Sequence, residues 1–251
     1  MTVDTSRAIA NQNRSRLILA LETSGTTGGA ALLSGNQLLG SISFSSPTLY
    51  SQRLLPSVEW LLARVGVSVS DITAVAVAKG PGSFTGLRIG MSAAKAIAYA
   101  NSAVLLGIHS MEALALRAGR TAPGQPVCTV FDARQGEVYA AMFSVPPLPL
   151  GPGSAVRFAP ERLRPDHAGP LSSIASWITE PTLFAGEAIL KYESELRALL
   201  GERFAPAPPE LRLPSAEEVA ALGALRLSCG EADDLASLKP DYVRPGYVRG
   251  A

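Results

Sequence analysis

The stretch with the most chemical content is Lys79-Gly80-Pro81-Gly82-Ser83-Phe84-Thr85-Gly86-Leu87-Arg88-Ile89-Gly90. A β-rich run, Thr73 to Ala78, leads into it, and a helical pattern from Ser83 to about Asn101 leads out. Glycines at a strand-to-helix junction expose the backbone N–H groups of a helix start, which suits an anion such as phosphate. The same residues also suit a tight turn at Gly80 and Gly82 with Ser83 capping the helix, and residue types leave both readings open. Two better-defined phosphate loops are excluded. Thr85 stands where a dinucleotide fingerprint needs glycine, and no Gly-Lys-Ser/Thr occurs. Two carboxylates flank such a site in sequence: Glu22, followed by Thr23-Ser24-Gly25, and Asp132 in Asp132-Ala133-Arg134-Gln135-Gly136-Glu137-Val138-Tyr139. At the ends of adjacent strands they would suit a divalent ion. A hairpin turn in which Arg134 pairs with a carboxylate accounts for the second motif equally well.

Hydrolytic chemistry has little to draw on. His109 and His167 are the two histidines, with no HExxH or HxxxH pair, so no zinc, iron or other metal is expected, and a metalloprotease reading lacks ligands. Ser92 falls inside a helical pattern and not on a strand-to-helix elbow. No catalytic residue is assigned.

Alternating strands and helices must position these motifs. Leu17–Leu21, Ala30–Leu33 and Gln37–Phe44 read as a three-strand meander. Residues 52 to 65 place Leu54, Leu55, Val58, Leu61, Leu62 and Val65 on one helical stripe expected to face a sheet. Pro56, Trp60 and Ala63 form a second apolar strip, fit either for a partner or for packing within the domain. In the helix after the glycine loop, Gly86, Gly90, Ala94 and Ala98 recur every four residues. That nearly bare face suits tight internal packing or a helix-mediated interface. Val104–Ile108 is a further strand. Beyond it come a helix from Ser110 to about Ala118, strands Val127–Phe131 and Glu137–Ser144, and a Pro146–Gly153 surface loop. A helical stretch at Leu171–Ile178, a strand at Thr182–Ala185 and helices at Ala188–Leu200 and Ser215–Ser228 follow. The alternation argues for sheets covered by helices.

The 251 residues carry 22 Lys and Arg against 21 Asp and Glu, a net charge of +1, so no global field draws the chain to nucleic acid or membrane. Cys128 and Cys229 show no CxxC or metal spacing and read as reduced core thiols of a cytoplasmic protein. No secretory signal and no membrane span are expected. Residues 1–16 read as a flexible arm, 17–109 as a first lobe and 110–251 as a second lobe ending in a tail. That tail, Lys239-Pro240-Asp241-Tyr242-Val243-Arg244-Pro245-Gly246-Tyr247-Val248-Arg249, interleaves cations with tyrosines. It suits either stacking on bases and contact with phosphates, or packing on the protein itself.

The segments Leu19-Ala20-Leu21-Glu22-Thr23-Ser24, Ser51-Gln52-Arg53-Leu54-Leu55-Pro56, Gly80 to Gly90, Asp132 to Tyr139 and Pro240-Asp241-Tyr242-Val243-Arg244, in this order, resemble the bacterial TsaB (YeaZ) family. The resemblance implies a two-lobed actin-like ATPase fold (ASKHA, ribonuclease H-like) without a catalytic centre of its own. It implies a scaffold subunit that activates threonylcarbamoyl transfer to adenosine 37 of tRNA, with a TsaD-type transferase and a TsaE-type ATPase as partners. ATP and metal belong to those partners, tRNA is met through the complex, and a homodimer is compatible with it. Glu22, Thr23, Ser24, Gly80, Gly82, Ser83, Asp132 and Arg134 become a vestigial nucleotide cleft. Tyr50, Gln52, Arg53, Pro56, Trp60, Ala63, Gly86, Gly90 and Ala94 become the partner or dimer interface. Glu22 stands where the family usually has Asp, and Tyr50 where His commonly precedes Ser-Gln. An actin-like ATPase or small-molecule kinase using Glu22, the glycine loop and Asp132 is the alternative.

Overall fold

The computed structural model describes residues 16–45, 50–147 and 159–242. All but the last residue of the expected N-terminal arm, most of the Pro146–Gly153 loop and residues 243–251 lie outside the described residues.

The first sheet begins as the expected meander, β1 (Leu17–Glu22), β2 (Thr27–Ser34) and β3 (Gln37–Ser45), paired antiparallel. Two strands parallel to β1 extend its other side, β4 (Ala74–Gly80) and β5 (Val104–His109), giving the order β3-β2-β1-β4-β5. Parallel strands need crossovers. The helix α2 (Phe84–Asn101) makes the crossover from β4 to β5, and α1 (Tyr50–Val65) returns the chain from β3 to β4. Leu17, Leu19, Leu21, Val75 and Val77 pack with Leu54, Val58, Leu61, Met91 and Ile97 on one face of this sheet. Ile18, Ala20, Ala74 and Ala76 face the opposite way. With both faces covered, β1 reads as a continuous apolar run.

The second sheet repeats this plan. A meander of β6 (Val127–Arg134), β7 (Glu137–Ser144) and β8 (Glu161–Pro170) is followed by β9 (Thr182–Ala185) and β10 (Phe204–Pro206), parallel to β6 on its far side. Read from the meander edge, both sheets have the order third, second, first, fourth, fifth. The chain therefore has the doubled, two-lobed α/β arrangement of the actin-like (ASKHA, ribonuclease H-like) fold.

Among the described residues three further α-helices complete the layers: α3 (Ser110–Gly119), α4 (Ala188–Leu200) and α5 (Ala216–Ser228). The middle layer is shared, for α3 packs on β6 and β9 whereas α5 turns back onto β1 and β2 of the first sheet. Gly223 permits this, because a Cβ there would press on Ala76 of β4. After α5 the chain stays with the first lobe, and Asp233 N–H donates to Leu105 O at 2.8 Å on the open edge of β5. A division at residue 110 thus does not follow the packing of the C-terminal helix and the segment after it.

Several expectations change. Leu55, expected in the buried stripe of α1, points outward, and Tyr50 is buried in its place. The helical stretch expected at Leu171–Ile178 is present as a 3-10 helix over Leu171–Trp177. Cys229 is exposed, so Cys128 alone is a core thiol. Strand β8 was not anticipated, since its Arg162, Arg164, Pro165 and Asp166 resemble a loop. An edge strand tolerates such residues, and they protect it against edge-to-edge pairing.

Candidate functional site

Because β1, β4 and β5 run parallel, their carboxyl ends place Glu22, Gly80 and His109 along one rim of the first lobe. In the second lobe β6 and β9 place Asp132 and the Gly186-Glu187 junction at the equivalent rim. Such rims are where open α/β sheets bind ligands.

At the first rim the chain closes on itself. The Ser83 N–H donates to Ser24 O at 2.7 Å, and Gly86 N–H donates to its cap, Ser83 Oγ, at 3.3 Å. Gly80 N–H donates to Ser110 Oγ at 3.2 Å. Three N–H groups of the glycine loop are therefore committed within the protein, and the turn-and-cap reading of the loop is the one its geometry follows. Gly80, with φ of 118°, sits where an L side chain is strained. A Cβ on Gly82 would overlap the Ser24 backbone, so the loop after β1 and the glycine loop are in direct contact.

Glu22 is fully buried beneath this contact. One carboxylate oxygen accepts from Ser24 N–H at 2.5 Å, while Oε2 has no hydrogen-bond partner. Burial pushes its pKa up to about 7, and the nearby Glu187 adds to the rise. Glu187 is itself raised to about 7, by burial and then by Asp132. Thr23 Oγ1 donates to Gly86 O at 2.8 Å, and the buried Tyr50 hydroxyl donates to Gly25 O at 2.6 Å. Tyr50 is a buried brace; burial, Glu22 and Glu187 all push its pKa upward.

Asp132 sits in the β6–β7 hairpin, whose Arg134, Gln135 and Gly136 all have positive φ. Its Oδ1 accepts from Arg134 N–H at 3.0 Å, and Lys191 of α4 pairs with it at 3.2 Å. The hairpin reading is correct in shape, but Lys191 supplies the cation expected from Arg134, whose side chain is exposed.

The bare stripe of α2 faces inward. A Cβ on Gly86 would overlap the Thr23 carbonyl, one on Gly90 would overlap Thr23 Oγ1, and Ala94 is fully buried. Gly86, Gly90, Ala94 and Tyr50 are therefore packing residues and present no surface to a partner. Gln52, Arg53, Pro56, Trp60 and Ala63 do lie exposed on α1, and Trp60 is 52% exposed with the Arg64 guanidinium 5.4 Å from its ring. Leu55, also exposed, extends this strip, and exposed Ser92, Ala96 and Tyr99 continue along α2.

Sequence reasoning missed Glu187. The signal was available in Ala185-Gly186-Glu187-Ala188, a strand-glycine-helix junction like that at Gly80. It also missed the joint between His109 and β8. His109 Nε2 lies 2.7 Å from Asp166 Oδ2, Arg162 donates to His109 Nδ1 at 3.3 Å, and Arg162 also pairs with Asp166. A neutral imidazole donating from Nε2 satisfies both neighbours. Among the described residues no helix is long and apolar enough to cross a membrane.

Residues 46–145, which span α1, α2 and the Asp132 hairpin, match the family model described as "TsaD: tRNA N6-adenosine threonylcarbamoyltransferase". The chain is 31% identical over 230 residues to the tRNA threonylcarbamoyladenosine biosynthesis protein TsaB of Bacillus subtilis, covering 90% of this chain and 93% of that one. To the protein of the same name from Escherichia coli it is 29% identical, over 81% and 82% of the two chains. The solved structure of YeaZ from Pseudomonas aeruginosa superposes with a TM-score of 0.75 at 29% identity, over 91% of this chain and all of that one. The sequence motifs, the doubled sheet topology and these similarities agree: the chain belongs to the TsaB (YeaZ) family.

Proposed function

We propose that, within tRNA threonylcarbamoyladenosine biosynthesis, this chain is a non-catalytic subunit that activates threonylcarbamoyl transfer to adenosine 37. It acts by holding a TsaD-type transferase, with a TsaE-type ATPase as the third component. The observation that carries this reading is the closure at the rim of the first lobe. A phosphate there would have to displace Ser24 O from the Ser83 N–H, and Glu22 lies out of solvent contact with a pKa near neutrality. A nucleotide site of the actin-like type needs open N–H groups and an ionised carboxylate. Support for the docking role comes from the Leu55, Pro56, Trp60 and Ala63 strip, an exposed apolar face on a helix whose opposite face already packs the sheet. The same face would serve a homodimer when the partner is absent.

Calorimetry separates this from the ATPase or kinase reading. The activator reading expects stoichiometric binding of the transferase-type subunit and no heat with magnesium-ATP. Micromolar ATP binding abolished by Asp132→Ala, without complex formation, would overturn it.

A further inference from the structure

The segment after α5 ends on an exposed stack of three side chains. Phe84, the first residue of α2, is 46% exposed. The Arg88 guanidinium lies 3.8 Å from the Phe84 ring centroid, and the Tyr242 ring lies 5.2 Å away, tilted by 33°. Arg88 Nε donates to Tyr242 Oη at 3.1 Å, so each of the three side chains touches the other two. The stack is anchored one residue earlier, where Asp241 pairs with Lys79 at 3.0 Å and its N–H donates to Lys79 O at 2.6 Å.

Its surroundings carry both signs of charge, with Asp234 near Lys95 and Asp241 on Lys79. Among the described residues Arg88 forms no ion pair, and Asp241 beside it is matched by Lys79. Lys95, further along α2, reaches the same C-terminal segment and donates to Ala236 O at 3.3 Å. The stack also stands apart from the strip on α1. Helix α1 packs over β2 and β3, whereas α2 packs over β4 and β5, with the C-terminal segment on the β5 edge. A partner seated on α1 leaves this flank accessible, because Phe84 and Arg88 stand in the first turns of α2.

Exposed aromatic rings beside a guanidinium that forms no ion pair among the described residues have a chemistry that single-stranded nucleic acid fits. Unpaired bases stack on aromatic and guanidinium faces, and the neighbouring cations meet the phosphates. We infer that Phe84, Arg88 and Tyr242 form a direct contact site for unpaired RNA nucleotides, beside the partner-facing helices. This rests on the tRNA-modification reading, because the bases around a modified anticodon-loop adenosine are single-stranded and free to stack. It goes beyond that reading by giving this chain its own hold on the RNA.

The test is fluorescence anisotropy with an end-labelled anticodon stem-loop RNA, titrated with the chain alone and with its complex with the transferase-type subunit. Arg88→Ala and Tyr242→Ala are each expected to weaken binding about tenfold, the size of one lost stacking contact. Tyr242→Phe keeps the ring and is expected to stay within about twofold. A blunt-ended, fully paired RNA duplex of the same length is expected to bind all four proteins alike. Unchanged affinity in both alanine variants, with the complex intact, overturns the RNA site and leaves the activator reading standing. Loss of the complex in those variants assigns the stack to protein docking and also overturns the RNA site. Tyr242-dependent RNA binding by a chain that neither assembles with nor stimulates the transferase keeps the site and sinks the activator reading. Absence of RNA binding by either form overturns the site.

Discussion

Ser83 N–H and Ser24 O meet at 2.7 Å, joining the start of α2 to the loop that leaves β1. Thr23, Gly82 and Gly86 tighten the same contact, so α2 is fixed to the sheet by its glycines.

Glycine-to-alanine changes should therefore damage the fold and not an interface. Gly86→Ala sets a methyl against the Thr23 backbone carbonyl, and overpacking of that kind costs about 2–3 kcal/mol against a helix-propensity gain of about 1 kcal/mol. Gly90→Ala meets the Thr23 side chain, which can move, and should cost less. Urea unfolding followed by circular dichroism measures both; the reverse order would mean that α2 is not locked against Thr23.

On α1 the opposite pattern is expected. Trp60→Glu changes a half-exposed side chain and should leave stability within about 0.5 kcal/mol. Binding to the transferase-type subunit should weaken by about 2 kcal/mol or more, as for an aromatic anchor. Calorimetric titration reads this, and unchanged affinity would remove the α1 strip from the interface.

The buried carboxylates give a pH signature. Glu22 and Glu187 have folded-state pKa values near 7, above the ordinary 4.5, so between these pH values the folded protein holds more protons than the unfolded chain. Stability should then fall as pH rises from about 4.5 to about 7 and level off above. Glu22→Gln keeps an oxygen for the Ser24 N–H and should flatten part of this slope, gaining about 2 kcal/mol at pH 8. Thermal unfolding across pH checks the sign, and a slope unchanged by the substitution would contradict the assignment to Glu22.

A third carboxylate, Glu218, acts structurally. Glu218 of α5 pairs with Arg117 of α3 at 3.1 Å and more loosely with the exposed Arg120 at 3.7 Å. Glu218→Ala leaves Arg117 without its carboxylate in the layer between the sheets and should cost about 3 kcal/mol, whereas Arg120→Ala should cost under about 1 kcal/mol. Equal effects would mean that the α3–α5 joint does not depend on burial of this pair.

What the sequence disclosed tracks the range of the physics involved. The first meander, α1, α2 and the β6–β7 hairpin were legible because apolar period and turn residues are local signals. Strand β8 was hidden, since its pairing with β7 is long-range and its edge position permits Pro165. The stripe of Gly86, Gly90 and Ala94 announced a close approach, but only its spatial neighbour, Thr23, reveals that the approach is internal. Glu187 and Tyr50 entered the site through the juxtaposition of the lobes with the loop after β1, a relation that local spacing does not encode. The return of α5 to the first sheet was hidden for the same reason.

The most direct measurement is the initial rate of tRNA threonylcarbamoylation by the TsaD-type and TsaE-type subunits of the same organism, supplied with threonylcarbamoyl-adenylate and ATP, with and without this chain. The account predicts negligible transfer without it, restoration by the wild type and by Asp132→Ala alike, and no restoration by Trp60→Glu. Equal transfer without the chain, or its abolition by Asp132→Ala in an intact complex, would contradict a non-catalytic activator.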